Sequence, residues 1–590
     1  MKSSSSLSQT VAPLMFKLLP IQILLALISS VNSIISSLFA GNMIGPEAMT
    51  ATGYYTPILT LLTAISAMLV GGSQIICGKY MGRNQVEKMQ DVFSLDLAIS
   101  ILVGLLFTAF FLVTSLLDLN SFLVSDPDMR PLFNQYALGQ TVGMLPLILY
   151  SQLAAFLSLE NQTRITTIGT IVCIVVNAAL SFLFISVLHL GVFGLALASS
   201  LATWVFLVVE AQYFFSAKST LRLTFRHIKW RETLEIVKIG LPGAMSSGYQ
   251  AVRSLIVNAL LAAYVGSVGV SALATVNTLL NFFWAIPNGM LAVSRMMFSV
   301  SNGEEDRQTL VDIMRTALYR YVPLMCGVVA LIIVAAVPLT RLYYRDASAA
   351  IYDLTLRGFR IIPLCMPLSL IYMIYSCFSQ VSGKQILVNV LAALDGVVCV
   401  AGYTALLISS AGMNSVYYAN ILNGVTTTVA ILLYAWYKNK KFPRTTEELM
   451  VIPAGFGVGA EDRLDLSLRS MEDVIRISKT IQSFCLEKGI DHRRAYLAGL
   501  SMEEMAGNVI AHGFTKDNKK HFVDVRVVYR EGGLILRIKD TCQAFDPATR
   551  REIAEPDDPF RNIGIRMVYD IASTVTYQSV LGLNVLTITL

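Results

Sequence analysis

Charge is what this sequence has least of. Only 14% of its 590 residues are Asp, Glu, Lys or Arg, against 55% hydrophobic. Soluble domains carry about 25% charged and about 45–50% apolar residues. A single globular core this apolar would be hard to keep in solution, so the average has to be unpacked by region. Paired cysteines are lacking too. Cys77, Cys173, Cys326, Cys365, Cys377, Cys399, Cys485 and Cys542 are scattered, with no Cys-x-x-Cys pair and no neighbouring His cluster. Free thiols are expected, not a disulfide framework or a metal site. A concentrated positive charge is also missing. The net +6 is spread out, so nucleic acid is not indicated, and basic loops beside a bilayer account for it. A signal peptide is not expected, since the first apolar stretch, Val11 to Ala40, is too long and no clean cleavage pattern follows.

What is present instead is a series of long apolar stretches from Val11 to about Tyr437. A spanning helix needs roughly 20 mainly apolar residues. Twelve candidate spans fit, near 12–39, 53–78, 92–117, 131–157, 163–187, 191–214, 234–264, 271–299, 314–338, 354–380, 385–409 and 413–437. Basic residues cluster after span 2 (Lys79, Arg83, Lys88), after span 6 (Lys218, Arg222, Arg226, Lys229, Arg231) and after span 12 (Lys438, Lys440, Lys441, Arg444). Gly41–Thr52 and Val265–Val270 have none, and Arg341 and Arg345 are exceptions. The balance puts both termini in the cytosol and the chain in the plasma membrane.

The two halves look alike. Gly45 to Met49 parallels Gly269 to Leu273, Gly82 before Asp91 parallels Gly303 before Asp312, and Lys17 before Pro20 parallels Lys238 before Pro242. A duplicated six-span unit is the expectation; such repeats are the usual construction of secondary transporters, with the substrate site between the halves. Residues 11–215 and 233–440 then form the two repeats. The tail 1–10 and the basic loop 216–232 lie outside them.

Ionisable groups inside spans are costly, so they are candidates for function. Asp395 and Arg253 both lie mid-span. One reading makes Asp395 a proton or sodium site, with Arg253 its charge partner or a contact for an anionic substrate. The other makes both structural polar contacts that fix helix packing. Glu210 and Arg295 lie nearer span ends, where snorkelling is expected. Pro242, Pro287, Pro363 and Pro367 mark places where helices can break.

Ser37-Leu-Phe-Ala-Gly-Asn-Met-Ile-Gly-Pro-Glu-Ala-Met49, and Gly71-Gly-Ser-Gln-Ile-Ile-Cys-Gly-Lys-Tyr-Met-Gly82 leading into Asn84-Gln-Val-Glu87, resemble the first two helices of MATE (multidrug and toxic compound extrusion) transporters. The resemblance covers roughly residues 10–440. It implies antiport of small amphipathic, often cationic compounds, driven by H+ or Na+ through acids inside the bundle. Two positions where the family often has such an acid are Ser36 and Ser181 here. The wider superfamily also contains polysaccharide and lipid-linked precursor flippases.

Residues 441–463 read as a linker and 464–590 as an ordinary soluble domain of about 125 residues. Leu464–Leu468 alternates like a strand. Ser470 to Lys488 has helical periodicity, and Asp491 to His512 is a second helix. Phe522–Tyr529 and Gly533–Lys539 form a hairpin. Ile563 to Ala572 is a third helix, and Ser573–Leu590 reads as two more strands. The expected fold is therefore an all-α membrane bundle of twelve helices in two six-helix repeats, followed by an α+β sandwich.

Three clusters in that domain carry chemistry. Glu504 and Asn508 are four apart on one helix face. A carboxylate there can orient water or accept a hydroxyl proton. An Asn carbonyl suits Mg2+ that keeps phosphates and water. Asp540, just after a strand, can accept a hydrogen bond from an adenine amino group. Gly564 opens a helix, where backbone N–H groups favour phosphate. Together with His512-Gly-Phe514 and Phe545-Asp-Pro547, these resemble the histidine-kinase-type (GHKL) ATPase fold, and within it the anti-sigma-factor serine kinases. Cys542 stands at a family glycine position, and Asn562 at another. The resemblance implies ATP and Mg as ligands, held by Asn508, Asp540 and Gly564, with Glu504 as the possible general base. His512 is read as a packing or capping residue, because no dimerising helical hairpin with a phospho-acceptor His precedes the domain.

Three functions follow as expectations. The first is a MATE-like exporter with an ATP-binding regulatory domain. No Gly-x-x-x-x-Gly-Lys-Ser/Thr loop is present to make ATP the transport fuel. The second is a membrane-anchored sensor that phosphorylates a Ser or Thr on an anti-sigma antagonist or other cytosolic regulatory protein. The third is a lipid or polysaccharide-precursor flippase.

Overall fold

The computed structural model describes residues 8–39, 43–44, 46–83, 85–120, 129–160, 162–216, 219–223, 230–341, 344, 350–468, 470–513, 523–530, 533–542, 546–548, 563–580 and 583–590. Apolar runs of spanning length become helices, because only a helix satisfies every backbone group within its own segment. In chain order these are α1 (Ser8–Phe39), α2 (Pro46–Gly82), α3 (Val86–Leu116), α4 (Arg130–Leu159), α5 (Thr163–Val187) and α6 (Gly191–Phe214). Then follow α7 (Thr233–Tyr264), α8 (Ser267–Gly303), α9 (Arg307–Val334), α10 (Ala350–Val381), α11 (Gln385–Ala411) and α12 (Asn414–Asn439). Among the described residues, ten of these are long and apolar enough to cross a membrane. The exceptions are α1 and α7, which are each 32 residues long. α7 includes Glu235, Lys238 and Arg253, which dilute its apolar character.

Four of these helices are not regular throughout. Leu183–Val187 in α5, Ala317–Tyr321 in α9 and Leu394–Val398 in α11 are π-turns. In α10, Ile362–Cys365 tightens to a 3-10 turn around Pro363, which has no backbone N–H to donate. Span 9 starts earlier than expected. Asp306 caps α9 by accepting a 3.0 Å bond from Thr309 N, so the helix begins at Arg307.

Where α2 and α8 end they lie backbone against backbone. A Cβ on Gly82 would overlap Val300 O, and one on Gly303 would overlap Lys79 O. Glycine is required by this close approach, not by its φ. The chain leaving α12 passes through the short helix Thr446–Met450 at the same end. Lys384 Nζ donates to Met450 O and Val451 O at 2.7 and 3.0 Å, and Arg307 Nε meets Glu447 at 2.6 Å. Burial, with Lys438 nearby, lowers the Lys384 ammonium pKa to about 8.

The C-terminal domain is one five-stranded antiparallel sheet with helices on one face. The strands are β1 (Arg463–Leu468), β2 (Val523–Arg530), β3 (Gly533–Asp540), β4 (Thr574–Val580) and β5 (Leu583–Thr589), in the order β1-β2-β3-β5-β4. The helices are α13 (Met471–Glu487), α14 (His492–Asn508) and α15 (Ile563–Ile571). α13 starts at a capping box between Ser470 and Asp473, and Asp491 caps α14. Alternation sets the register. Val523, Val525, Val527, Leu534, Leu536 and Ile538 face the helices and are buried. A one-residue slip would put Arg526, Arg537 and Lys539 into that core, each displacing a side chain whose burial is worth about 1.5–3 kcal/mol.

Candidate functional site

The structure gathers the sequence-selected residues in two places. The first is a cavity of about 560 Å3 between α7, α8, α10, α11 and α12. Arg253 comes from α7 and Asp395 from α11, and both line it. Asp395 sits within the π-turn Leu394–Val398, where one extra residue per turn re-aims the side chain. Asn423 Nδ2 on α12 donates to Asp395 Oδ1 at 2.8 Å. At Gly396, α11 closes on the Cβ of Tyr249 in α7, which brings the helices of Asp395 and Arg253 together. Asn277, Asn281, Asn288 and Asn420 add amide groups to the wall.

The snorkelling expectation fails for both residues to which it was applied. Arg295 lines this same cavity, with Cys377 beside it and its Nε buried. The wall therefore carries two guanidiniums and one carboxylate. Glu210 does not reach an interface either: it is 0% exposed, packed in the bundle beside Thr166. Both corrections have one cause, since each side chain faces a neighbouring helix, Arg295 the Cys377 of α10 and Glu210 the Thr166 of α5. Sequence reasoning passed over Asp96, a fully buried acid on α3 beside Ser73 and Cys77. The signal was visible as an acid inside the apolar run Ser94-Leu-Asp-Leu97. Ser181 is buried, with its Oγ 3.4 Å from Asn177 Oδ1; the Ser36 side chain lies outside the described residues.

The second place is the rim of the C-terminal sheet. Glu504 and Asn508 lie on one face of α14, which passes into a π-turn at Val509–Gly513. The Glu504 carboxylate rests directly on Gly564, leaving no room for a Cβ there. Gly513 likewise rests on the side chain of Cys542. Thus Asn508, Glu504, Gly564 and the segment after β3 converge. Asp540 ends β3 facing the helices, 6% exposed. Its Oδ1 accepts 2.9 Å from Cys542 N and 2.7 Å from Asn584 Nδ2. Tyr577 Oη donates to Asn584 Oδ1 at 2.9 Å. Asn584 was not selected from sequence. The His512 side chain, Phe514, Phe545 and Asn562 lie outside the described residues.

This network makes a stability prediction. Asn584→Ala leaves Asp540 and Tyr577 each short of a buried partner, which costs about 1–3 kcal/mol. Hydrogen exchange across β3 and β5 is expected to quicken correspondingly. Unchanged protection would show that the network does not carry the sheet edge.

A helical bundle of membrane-spanning length with a polar cavity lined by α7, α8, α10, α11 and α12, followed by an α+β domain, defines a polytopic membrane protein fused to a soluble module. The chain belongs to the MatE family, whose model matches residues 20–183 and again 242–402. Residues 469–590 match the model of a histidine kinase-like ATPase domain. The probable multidrug resistance protein YpnP of Bacillus subtilis is 25% identical over 229 residues, which cover 38% of this chain and 51% of that protein. The multidrug export protein MepA of Staphylococcus haemolyticus is 24% identical over 252 residues, covering 42% and 56%. The chain thus spans about half the length of the curated relatives it matches. A crystal structure of MATE in complex with MaD3S superposes with a TM-score of 0.67 at 20% identity, over 73% of this chain and 97% of that one.

Proposed function

We propose that the chain is a cation-coupled exporter of small amphipathic compounds, with a cytosolic domain that binds Mg-ATP and regulates transport. The observation that carries this reading is the cavity holding Asp395 and Arg253 within a bundle of the MatE family. In this reading twelve spans form two six-helix repeats, supported by the double match of the family model. The basic loops favour a plasma-membrane protein with both termini in the cytosol, which places the C-terminal domain where ATP is available.

Asp395 is the proposed coupling group for H+ or Na+. Ionised, it accepts the Asn423 bond and can attract the substrate; a proton or Na+ bound there competes with the substrate, which is the exchange that cation-driven export needs. In the C-terminal domain Asn508 would hold Mg through the nucleotide, Asp540 the adenine amino group, and the start of α15 at Gly564 a phosphate. The nucleotide supplies charge and binding energy, not transport work. Glu504 fits a general-base role toward a hydroxyl of a regulatory protein. Arg295 beside Arg253 favours one second reading, a flippase for lipid or polysaccharide precursors with anionic head groups.

In proteoliposomes, an imposed pH or Na+ gradient is expected to drive efflux of a fluorescent amphipathic dye at least tenfold above protein-free vesicles. No gradient-dependent movement of any such dye, with movement of an anionic lipid analogue, would replace export by the flippase reading.

A further inference from the structure

The sheet of the C-terminal domain has a second face, and it is basic. Along β2 and β3 the residues between the core positions include Arg526, Arg530, Arg537 and Lys539. All four reach one loop of the membrane bundle, Glu304-Glu305-Asp306 between α8 and α9. Lys539 Nζ lies 2.7 Å and Arg537 Nη1 3.8 Å from Glu304 Oε2. Arg530 Nη1 lies 2.8 Å from Glu305 Oε2, and Arg526 pairs with Asp306 while its Nε holds Asp465 at 2.6 Å.

Two of these acids are deeply enclosed: the Glu304 and Asp306 side chains are 4% and 1% exposed. Exposed ion pairs are worth little, but removing one partner of a buried pair strands a desolvated charge. Burial alone would raise the Asp306 carboxyl; the Arg526 guanidinium and Lys539 ammonium outweigh it and hold it well below the usual carboxylate range. Asp306 is also the cap of α9. Glu305 reaches both ways, with its other oxygen 3.5 Å from Arg83 at the end of α2. This is the end at which Gly82 and Gly303 seat α2 on α8.

We propose that the basic face of the sheet is a docking surface for the α8–α9 loop of its own chain, and that the docked domain clamps the ends of α2 and α8 together. The clamp is the means by which the cytosolic domain governs transport, so the inference rests on the regulatory reading above. Strand β3 links it to the nucleotide site. Successive residues of a strand point to opposite faces. Lys539 therefore faces the transporter while Asp540, its neighbour, faces α14. A displacement of the end of β3 by a nucleotide moves both.

The test reads the α2–α8 contact directly. Ser299, buried against Gly78 in that contact, is changed by Ser299→Cys. Its reaction with a maleimide is followed at that residue by mass spectrometry, in full-length protein in nanodiscs. Arg526→Gln is one clamp variant. The double change Arg530→Glu with Lys539→Glu is a second, which spares the buried Arg526–Asp306 pair. Both are expected to raise labelling at least fivefold over the parent while ATP binding stays measurable. Labelling unchanged in both variants would overturn the clamp. Dye efflux absent from the parent, with labelling still responsive, would sink the export reading and leave the clamp standing.

Discussion

Asp395→Asn is expected to reduce gradient-driven efflux by more than tenfold while leaving the protein folded. Asparagine keeps the size of the side chain and can still hydrogen-bond Asn423. It cannot bind or release a proton, and it offers a cation no charge. Ionisable groups at this depth are retained at a cost, and Asp395 is the one carboxylate among the residues lining the cavity. Counterflow driven by substrate alone is expected to survive, because it needs the cavity but not the coupling ion. Efflux by Asp395→Asn at the parental rate would remove Asp395 from the coupling role. Attention would then pass to Asp96 and Glu210, both 0% exposed inside the bundle.

The second large effect lies in the C-terminal domain. Asn508→Ala is expected to weaken Mg-ATP binding by the full-length protein about 100-fold or more. Asn508 shares a helix face with Glu504, which lies on Gly564, so the groups assigned to the metal, the general base and the phosphate are neighbours. Alanine keeps the helix, having the best propensity of any residue, and removes only the amide. ATP affinity is read by calorimetry with and without Mg2+. Parental affinity in Asn508→Ala would overturn the site as assigned. A loss seen equally with and without Mg2+ would move Asn508 from the metal to the nucleotide itself.

Much of this was legible in the sequence, and the reasons are local. The apolar runs gave helices close to the expected limits, because burial in lipid leaves the backbone no alternative. The strands from 463 to 589 followed alternation, since Val525 and Arg526 cannot exchange faces without a charge entering the core. The glycine at 564 was selected for phosphate, and the structure adds that it makes room for Glu504. What escaped was non-local. Glu305 and Arg530 lie 225 positions apart, and neither stands out in its own neighbourhood. Asn584 gains meaning only when β5 is laid beside β3. Arg295 and Glu210 were misplaced because a helix position does not reveal which neighbour it faces.

The π-turns in α5 and α11 have a mechanical consequence. Each belongs to the fifth long helix of its half of the bundle. A turn that holds one residue too many can pass that residue along the helix, since each neighbouring turn can take up the surplus without breaking the rod. Such a shift swivels the intervening segment by about 100° and slides it about 1.5 Å, one helical step. In α11 the surplus lies at Asp395 itself. The carboxylate can thus be turned toward or away from the cavity by a screw motion within a single helix, before either half of the bundle rocks.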